Sequence, residues 1–266
     1  MQEFRVGEAS LGHPVSHRLA VLCRGRPPIP GMATDPFGRA VLDHHRGDRE
    51  TPLVVRDGAT TREHPIEQFY FEPFDAAADE WLVERLEGPL VDLGAGAGRH
   101  ALYFQERFET VAVEASDHLV EVMRERGVED ARRGDMFALR EAFGRDRFRS
   151  ALAHGTQVGL AGSMQGLRRF LGDLAYVTTP DATVVLDGYD PTAPTAAELL
   201  GYRSDPTPGV AHRVMTFEYD GAVGETLLFR LFGPDRLREA AVGTGWTVTE
   251  LHQGGDAHYR AALAKR

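Results

Sequence analysis

The sequence predicts an α/β domain built on a largely parallel sheet with helices on both faces, preceded by a small N-terminal cap. Two observations carry this expectation. From Trp81 onward, short apolar runs alternate with stretches of 3.6-residue periodicity. A glycine-rich turn, Gly94-Ala95-Gly96-Ala97-Gly98, stands between the first of those runs and the helix after it. The size and balance agree: 266 residues, 42% hydrophobic and 26% charged, suit one large domain or a domain with an appendage.

Residues 1–31 stand apart. They hold four arginines, two glutamates, no aspartate and the run Pro27-Pro28-Ile29-Pro30-Gly31. This composition cannot bury a core, so the stretch reads as a disordered tail or as sequence upstream of a start at Met32, with a short basic arm as the other reading. Residues 32–80 form the cap. Asp35-Pro36 is a helix N-cap with proline in the first turn, and that helix should reach about His45. Leu53-Val54-Val55 and Thr60-Thr61 flank Asp57-Gly58, a hairpin signal. Phe69-Tyr70-Phe71 with Phe74 form an aromatic cluster in search of a packing partner. It is either a lid over the site or plain packing of the cap on the core.

The core, residues 81–266, follows in order. Leu90-Val91-Asp92-Leu93 is a buried strand and the helix after the glycine turn starts at Arg99. Thr110 to Glu114 is the second strand, followed by a helix with Asp117 as N-cap and Gly127 as stop. Phe148 to Ala153 is a strand. Leu167, Phe170, Leu171, Leu174 and Val177 mark a helix over 164–178, and Thr183 to Leu186 is a strand closed by Asp187-Gly188. An inserted hairpin is expected at about 209–232, turning at Asp220-Gly221. Gly233-Pro234-Asp235 opens a last helix. Trp246 to Leu251 and His258 to Leu263 are late strands joined through Gly254-Gly255.

Charge and composition exclude several functions. The 30 basic and 40 acidic residues leave a net charge of −10, against a protein whose main task is to grip nucleic-acid phosphates or an anionic membrane surface. Lys265 is the single lysine and asparagine is absent. A GC-rich genome or adaptation to high salt would each produce that bias, and neither bears on fold. One cysteine, Cys23, excludes an intramolecular disulfide framework and a cysteine-based zinc site. His44-His45 point apart on a helix, and no metal site is expected. No apolar run approaches the ~18 residues of a membrane helix, and a cytoplasmic protein is expected.

The chemistry rests on Asp92-Leu93-Gly94-Ala95-Gly96-Ala97-Gly98. The glycines let the backbone turn tightly and approach a ligand. Glu114 ends the next strand 20 residues after Gly94, where a carboxylate can accept hydrogen bonds from both ribose hydroxyls of an adenosine ligand. Two such ligands compete. A dinucleotide fingerprint would need a small residue where Arg99 stands, and Asp92 would repel a pyrophosphate. The same carboxylate suits a ligand bearing an ammonium and a sulfonium, which is S-adenosylmethionine.

On these residues the chain resembles the class I S-adenosylmethionine-dependent methyltransferases over about residues 81–266. The likeness includes Val91 to His100, Glu114, Gly134-Asp135-Met136 after the third strand, and Phe232-Gly233-Pro234-Asp235-Arg236-Leu237 before two closing strands. It implies a Rossmann-like seven-stranded sheet of order 3-2-1-4-5-7-6, with strand 7 antiparallel. It further implies that Asp92, Gly94, Gly96 and Gly98 hold the methionine end of the cofactor, Glu114 the ribose, and Asp135 with Met136 the adenine. For Asp135 a helix N-cap is the competing role.

His154-Gly155-Thr156-Gln157 follows the fourth strand. Ligands of open α/β sheets lie beyond the carboxyl ends of the strands, so this turn should face the methyl group. The Asn-Pro-Pro-Tyr pattern of the family's nucleic-acid amino-methylating enzymes is absent. His154 is the candidate general base, or else a residue that only hydrogen-bonds the turn. Tyr70, Thr156 and Gln157 are the candidate substrate pocket. Methyl transfer to a small-molecule acceptor is thus expected, with nucleic acid disfavoured and no oligomeric state indicated. The competing readings are an NAD-type oxidoreductase, a non-catalytic S-adenosylmethionine-binding module, and a methyltransferase acting on RNA or protein.

Overall fold

The computed structural model describes residues 35–254 and 257–265. The readings made for residues 1–31 and for Gly255 lie outside the described residues. Helix α1 (Pro36–Arg46) starts as the sequence predicts, with Asp35 Oδ1 accepting from the Gly38 amide at 2.8 Å. Strands β1 (Val54–Asp57) and β2 (Thr60–Glu63) form the Asp57-Gly58 hairpin. A π-helical turn, Glu67–Phe71, carries the aromatic cluster, and a short α2 (Glu80–Val83) leads into the core.

The core alternates as expected: β3 (Leu90–Leu93), α3 (Arg99–Phe104), β4 (Thr110–Glu114), α4 (Asp117–Glu125), β5 (Ala131–Arg133), α5 (Leu139–Ala142), β6 (Phe148–Ala153), α6 (Met164–Val177) and β7 (Thr178–Tyr189). An insertion adds β8 (Tyr202–Ser204), β9 (Val210–Tyr219), β10 (Ala222–Val223) and β11 (Leu227–Phe232). Then α7 (Pro234–Ala241), β12 (Trp246–Gln253) and β13 (His258–Lys265) complete the sheet. The seven core strands lie in the order β5-β4-β3-β6-β7-β13-β12. Strand β13 is antiparallel to both of its neighbours, and the pairs among β3 to β7 are parallel. Counted within this sheet, that is the order 3-2-1-4-5-7-6 with strand 7 antiparallel.

The two-residue period of the strands divides the core between two faces. Val91, Leu93, Val111, Val113, Ala151, Ala153, Val184 and Leu186 pack with the apolar stripes of α5, α6 and α7. Leu90, Leu152, Val185 and Ala262 meet Leu82 and Phe104 on the other face, and Ala112 meets Ala101, Val120 and Met123 of α3 and α4. Strands buried on both faces explain why these segments read as continuous apolar runs. Leu174 of α6 is fully buried, and truncating such a leucine to alanine costs about 2–5 kcal/mol.

Two boundaries and one strand pairing differ from expectation. The N-cap of α4 is Ser116, whose Oγ accepts from the Leu119 amide at 3.3 Å, and Asp117 is the first helical residue. Ser116 Oγ in turn donates to Asp35 Oδ2 at 2.5 Å, which ties the cap helix to the core. Asp187-Gly188 does not close its strand: β7 runs on to Tyr189 because β13 pairs with it through Gly188↔Tyr259 and Tyr189↔His258. Cap and insertion also share a single antiparallel sheet. One edge of β9 pairs with β8 and β1, the other with β10 and β11, and β2 extends it beyond β1. The insertion leaves and re-enters the core between Tyr189 and Pro234, so this second sheet stands over the carboxyl end of β7.

Candidate active site

The loop after β3 forms the floor of the site. Gly94, Gly96 and Gly98 have φ of 67°, 59° and 80°, a left-handed conformation that side chains disfavour. The three positions serve different contacts. A Cβ at Gly98 would strike Val128 at 2.6 Å, so this glycine allows the loop to pack on the core. A Cβ at Gly94 would lie 2.8 Å from the Gln157 side chain, and one at Gly96 would lie 3.3 Å from the Tyr70 ring. Gln157 and Tyr70, both singled out from the sequence, therefore bracket the two glycines expected to approach the cofactor.

Glu114 organises the same loop. Its Oε2 accepts from the Gly96 amide at 3.0 Å, and its Oε1 accepts from the amides of Ala115 at 2.7 Å and Ser116 at 3.2 Å. Burial raises its pKa, with these amides acting in the opposite direction. Asp92 is 2% exposed, and its Oδ2 has no hydrogen-bond partner among the described residues. Burial, and then the negative charge of Glu114, push Asp92 up to about 7, while a hydrogen bond from the Ala101 amide opposes the shift. A buried carboxylate oxygen left unpaired is costly. Together with the partly buried Glu114 carboxylate, whose charge it feels, Asp92 makes a site complementary to a cation. A cavity of about 200 Å³ opens beside them, lined by Asp35, Phe37, Glu114, Ser116, Leu119 and Phe217 among others. Three carboxylates, Asp35, Glu114 and Glu225, on otherwise mainly apolar walls suit a nucleoside bearing a positive charge.

The cap closes over the loop. Tyr70 OH lies 2.9 Å from His64 Nε2, and its ring meets Phe37 edge-on at 5.5 Å. Arg126 Nη1 donates to Tyr70 O at 2.8 Å and to Ala97 O at 2.6 Å, which stitches the π-turn to the glycine loop. Burial and the nearby Arg213 charge hold His64 down at about 4, so this imidazole is neutral at pH 7.

Asp135 follows β5 and accepts from the Phe137 amide at 2.9 Å through Oδ1. The cap position of α5 is Ala138, so Asp135 does not take the N-cap role. Met136 packs into the main core at 7% exposure. His154 is about one-third exposed. Its Nδ1 lies 3.6 Å from Asp187 Oδ2, and its ring meets His100 edge-on at 4.9 Å. Asp187 is 1% exposed and accepts from Thr156 N at 2.6 Å, Gly155 N at 3.1 Å and His258 Nε2 at 2.9 Å. Burial works to raise its pKa, but the charges of His154 and His258 and these hydrogen bonds hold it below the ordinary value. Asp187 thereby holds Thr156 at a φ of 62°, unusual for a β-branched residue.

Sequence reasoning missed Asp187, His258, His64, Arg126 and Arg213. Asp187 was read as a turn residue, although an acid at the carboxyl end of an α/β strand is itself a site signal. The others come from distant segments and leave no local pattern. His44 and His45 face separate partners, Glu67 at 2.8 Å and Glu125 at 3.4 Å. No helix among the described residues is long and apolar enough to cross a membrane.

Neither a protein-family model nor a curated protein matches the sequence. Solved structures do. The chain is similar to an S-adenosylmethionine-dependent methyltransferase from Bacteroides fragilis, crystallised with S-adenosyl-L-homocysteine. That likeness has 25% identity, covers 89% of this chain and 97% of that one, and has a TM-score of 0.71. The CcbJ methyltransferase from Streptomyces caelestis shares the fold at 16% identity, with 73% and 90% covered and a TM-score of 0.54. So does an amino pentose methyltransferase from Micromonospora echinaspora, at 16% identity, 66% and 83% covered and a TM-score of 0.50. With the strand order, the antiparallel seventh strand and the glycine loop facing Glu114, these likenesses show that the chain has the fold of the class I S-adenosylmethionine-dependent methyltransferases.

Proposed function

We propose that this enzyme transfers the methyl group of S-adenosylmethionine to a small-molecule acceptor. The observation that carries the reading is the pair of carboxylates at the glycine floor, buried Asp92 and partly buried Glu114, with Asp92 Oδ2 unpaired among the described residues. When bound, S-adenosylmethionine supplies a methyl group on a sulfonium centre, and its transfer leaves S-adenosylhomocysteine. Asp92 and the loop Gly94, Gly96 and Gly98 hold the ammonium end. Glu114 turns its carboxylate to the cavity and takes the ribose, and Asp135 with Met136 borders the adenine. Tyr70 covers the loop and excludes water. The acceptor lies between Tyr70 and the Thr156-Gln157 turn, and His154, backed by Asp187, receives its proton. In-line alignment and desolvation supply most of what this chemistry needs.

Two features support a small acceptor. The cap and the inserted sheet roof the carboxyl end of β7, and the net charge of −10 disfavours a polyanionic partner. Calorimetric titration with S-adenosylhomocysteine and with NADH tests the cofactor. Binding of the first alone is expected, and binding of NADH alone would replace this reading with the oxidoreductase. Incubation with methyl-labelled cofactor and a metabolite extract tests catalysis. Labelled product is expected, and tight cofactor binding without product would reduce the protein to a binding module.

A further inference from the structure

Arg213 is an anomaly in the inserted sheet. It sits on β9 on the same side as Ala211, Met215, Phe217 and Tyr219. Ala211, Met215 and Tyr219 are buried, and Tyr219 packs with Ala97 and Leu119 of the core. Arg213 is the one charge among these five residues of β9. Other arginines of the sheet are neutralised: Arg56 pairs with Glu218 at 2.6 Å, Arg203 with Asp57 at 2.8 Å and Arg230 with Asp205 at 2.7 Å. Exposed Arg62 has no such pair among the described residues, and it adds its charge to that felt by Arg213. Among the described residues no carboxylate pairs with Arg213, and its Nε donates to Leu200 O at 2.8 Å. Arg213 borders a small open cleft of about 10 Å³.

That space is the acceptor side of the site. Arg213 lines a narrow cleft with Thr156, Gly188, Tyr189 and Phe229, at the carboxyl ends of β6 and β7 where the methyl group should point. Its charge reaches His64, which holds the Tyr70 hydroxyl over the glycine loop. A guanidinium kept half-buried without an acid is costly in the free protein and favourable once an anion arrives. Its planar fork matches a carboxylate with two parallel hydrogen bonds.

We propose that Arg213 is the anion-binding residue of the acceptor site and that the acceptor is a small carboxylic acid. The carboxylate anchors on Arg213. A separate nucleophilic atom of the same molecule forms the new bond to the methyl carbon as the methyl–sulfur bond breaks with its electron pair left on sulfur. The proton of that atom passes to His154. This inference rests on the methyltransferase reading above and adds the charge of the substrate.

The test uses the full chain saturated with S-adenosylhomocysteine and two probes of one shape, benzoate and benzamide, titrated by calorimetry and saturation-transfer NMR. Benzoate should bind at least tenfold more tightly than benzamide. Arg213→Gln should abolish the preference, and Arg213→Lys should keep part of it. All three proteins should bind S-adenosylhomocysteine equally, which also shows that the variants fold. Equal binding of the two probes, no binding of benzoate, or a preference unchanged in Arg213→Gln would overturn the proposal and leave the methyltransferase reading standing. Failure of the wild-type protein to bind S-adenosylhomocysteine would overturn that reading as well.

Discussion

The unpaired Asp92 carboxylate makes a prediction that can be worked through in energy. Its pKa rises from an ordinary 3.8 to about 7 because of burial and, secondly, the charge of Glu114. The folded chain therefore binds this proton more tightly than the unfolded chain does. Between about pH 4 and pH 7 the folded state holds more protons, so Asp92 removes stability as pH rises through that window, and its effect is flat above it. At about 1.4 kcal/mol per pH unit the full cost is up to about 4 kcal/mol. His64 acts with the opposite sign. Its pKa falls to about 4, so it adds stability as pH rises from there to about 6.5, and a wild-type pH profile mixes the two. Asp92→Asn separates them, since His64 remains in both proteins. Urea unfolding at pH 4, 5, 6, 7 and 8 should show the variant gaining on wild type from pH 4 to 7, then holding a constant lead. If the ammonium group of S-adenosylhomocysteine sits at Asp92 as proposed, saturating ligand should stabilise wild type far more than the variant at pH 8. A stability difference independent of pH, or equal stabilisation of both proteins by the ligand, would refute the electrostatic role given to Asp92.

Three further outcomes follow from the same geometry. Gly96→Val places a β-branched residue at a φ of 59° with its Cβ against Tyr70. A cost of about 1–3 kcal/mol in stability and at least a thirtyfold loss of S-adenosylhomocysteine affinity are expected by thermal unfolding and calorimetry. Glu114→Ala strips the acceptor from the Gly96, Ala115 and Ser116 amides. It should cost about 1–3 kcal/mol of stability and at least tenfold in cofactor affinity; unchanged binding would remove Glu114 from the site. His154→Ala should lower kcat at least tenfold with S-adenosylhomocysteine affinity unchanged, once a methylated product is in hand. An unaltered rate would confine His154 to its contacts with Asp187 and His100.

The core strands were legible because each is buried on both faces and so reads as an apolar run, as in Leu90–Leu93 and Thr110–Glu114. The glycine loop was legible because backbone conformation there is dictated locally: a positive φ selects glycine whatever lies around it. Local signals fail where a neighbour overrides them. Asp187-Gly188 carries turn chemistry, yet β13 pairs across it and keeps the chain extended. Ser116 and Asp117 are both competent N-caps, and the hydroxyl of Ser116 was chosen by its second bond to Asp35, 81 residues away.

The sequence by itself determined the class of fold, the glycine loop and the strand-end acid that the loop bonds to, since alternation, left-handed glycines and a strand-end carboxylate are properties of a few consecutive residues. It also held the hairpins of the cap and the insertion, each through its own Asp-Gly turn. Only the tertiary structure decided that those hairpins share one sheet through β1 and β9, and that this sheet roofs the carboxyl end of β7. Only there do Arg213, His64 and Tyr70 come to one side of the glycine floor, and Asp187, His154 and His258 to one end of the core sheet. The reason is physical. A pairing between strands some 160 residues apart is selected by how the remaining apolar faces bury together, and burial is a property of the assembled chain that no local window contains.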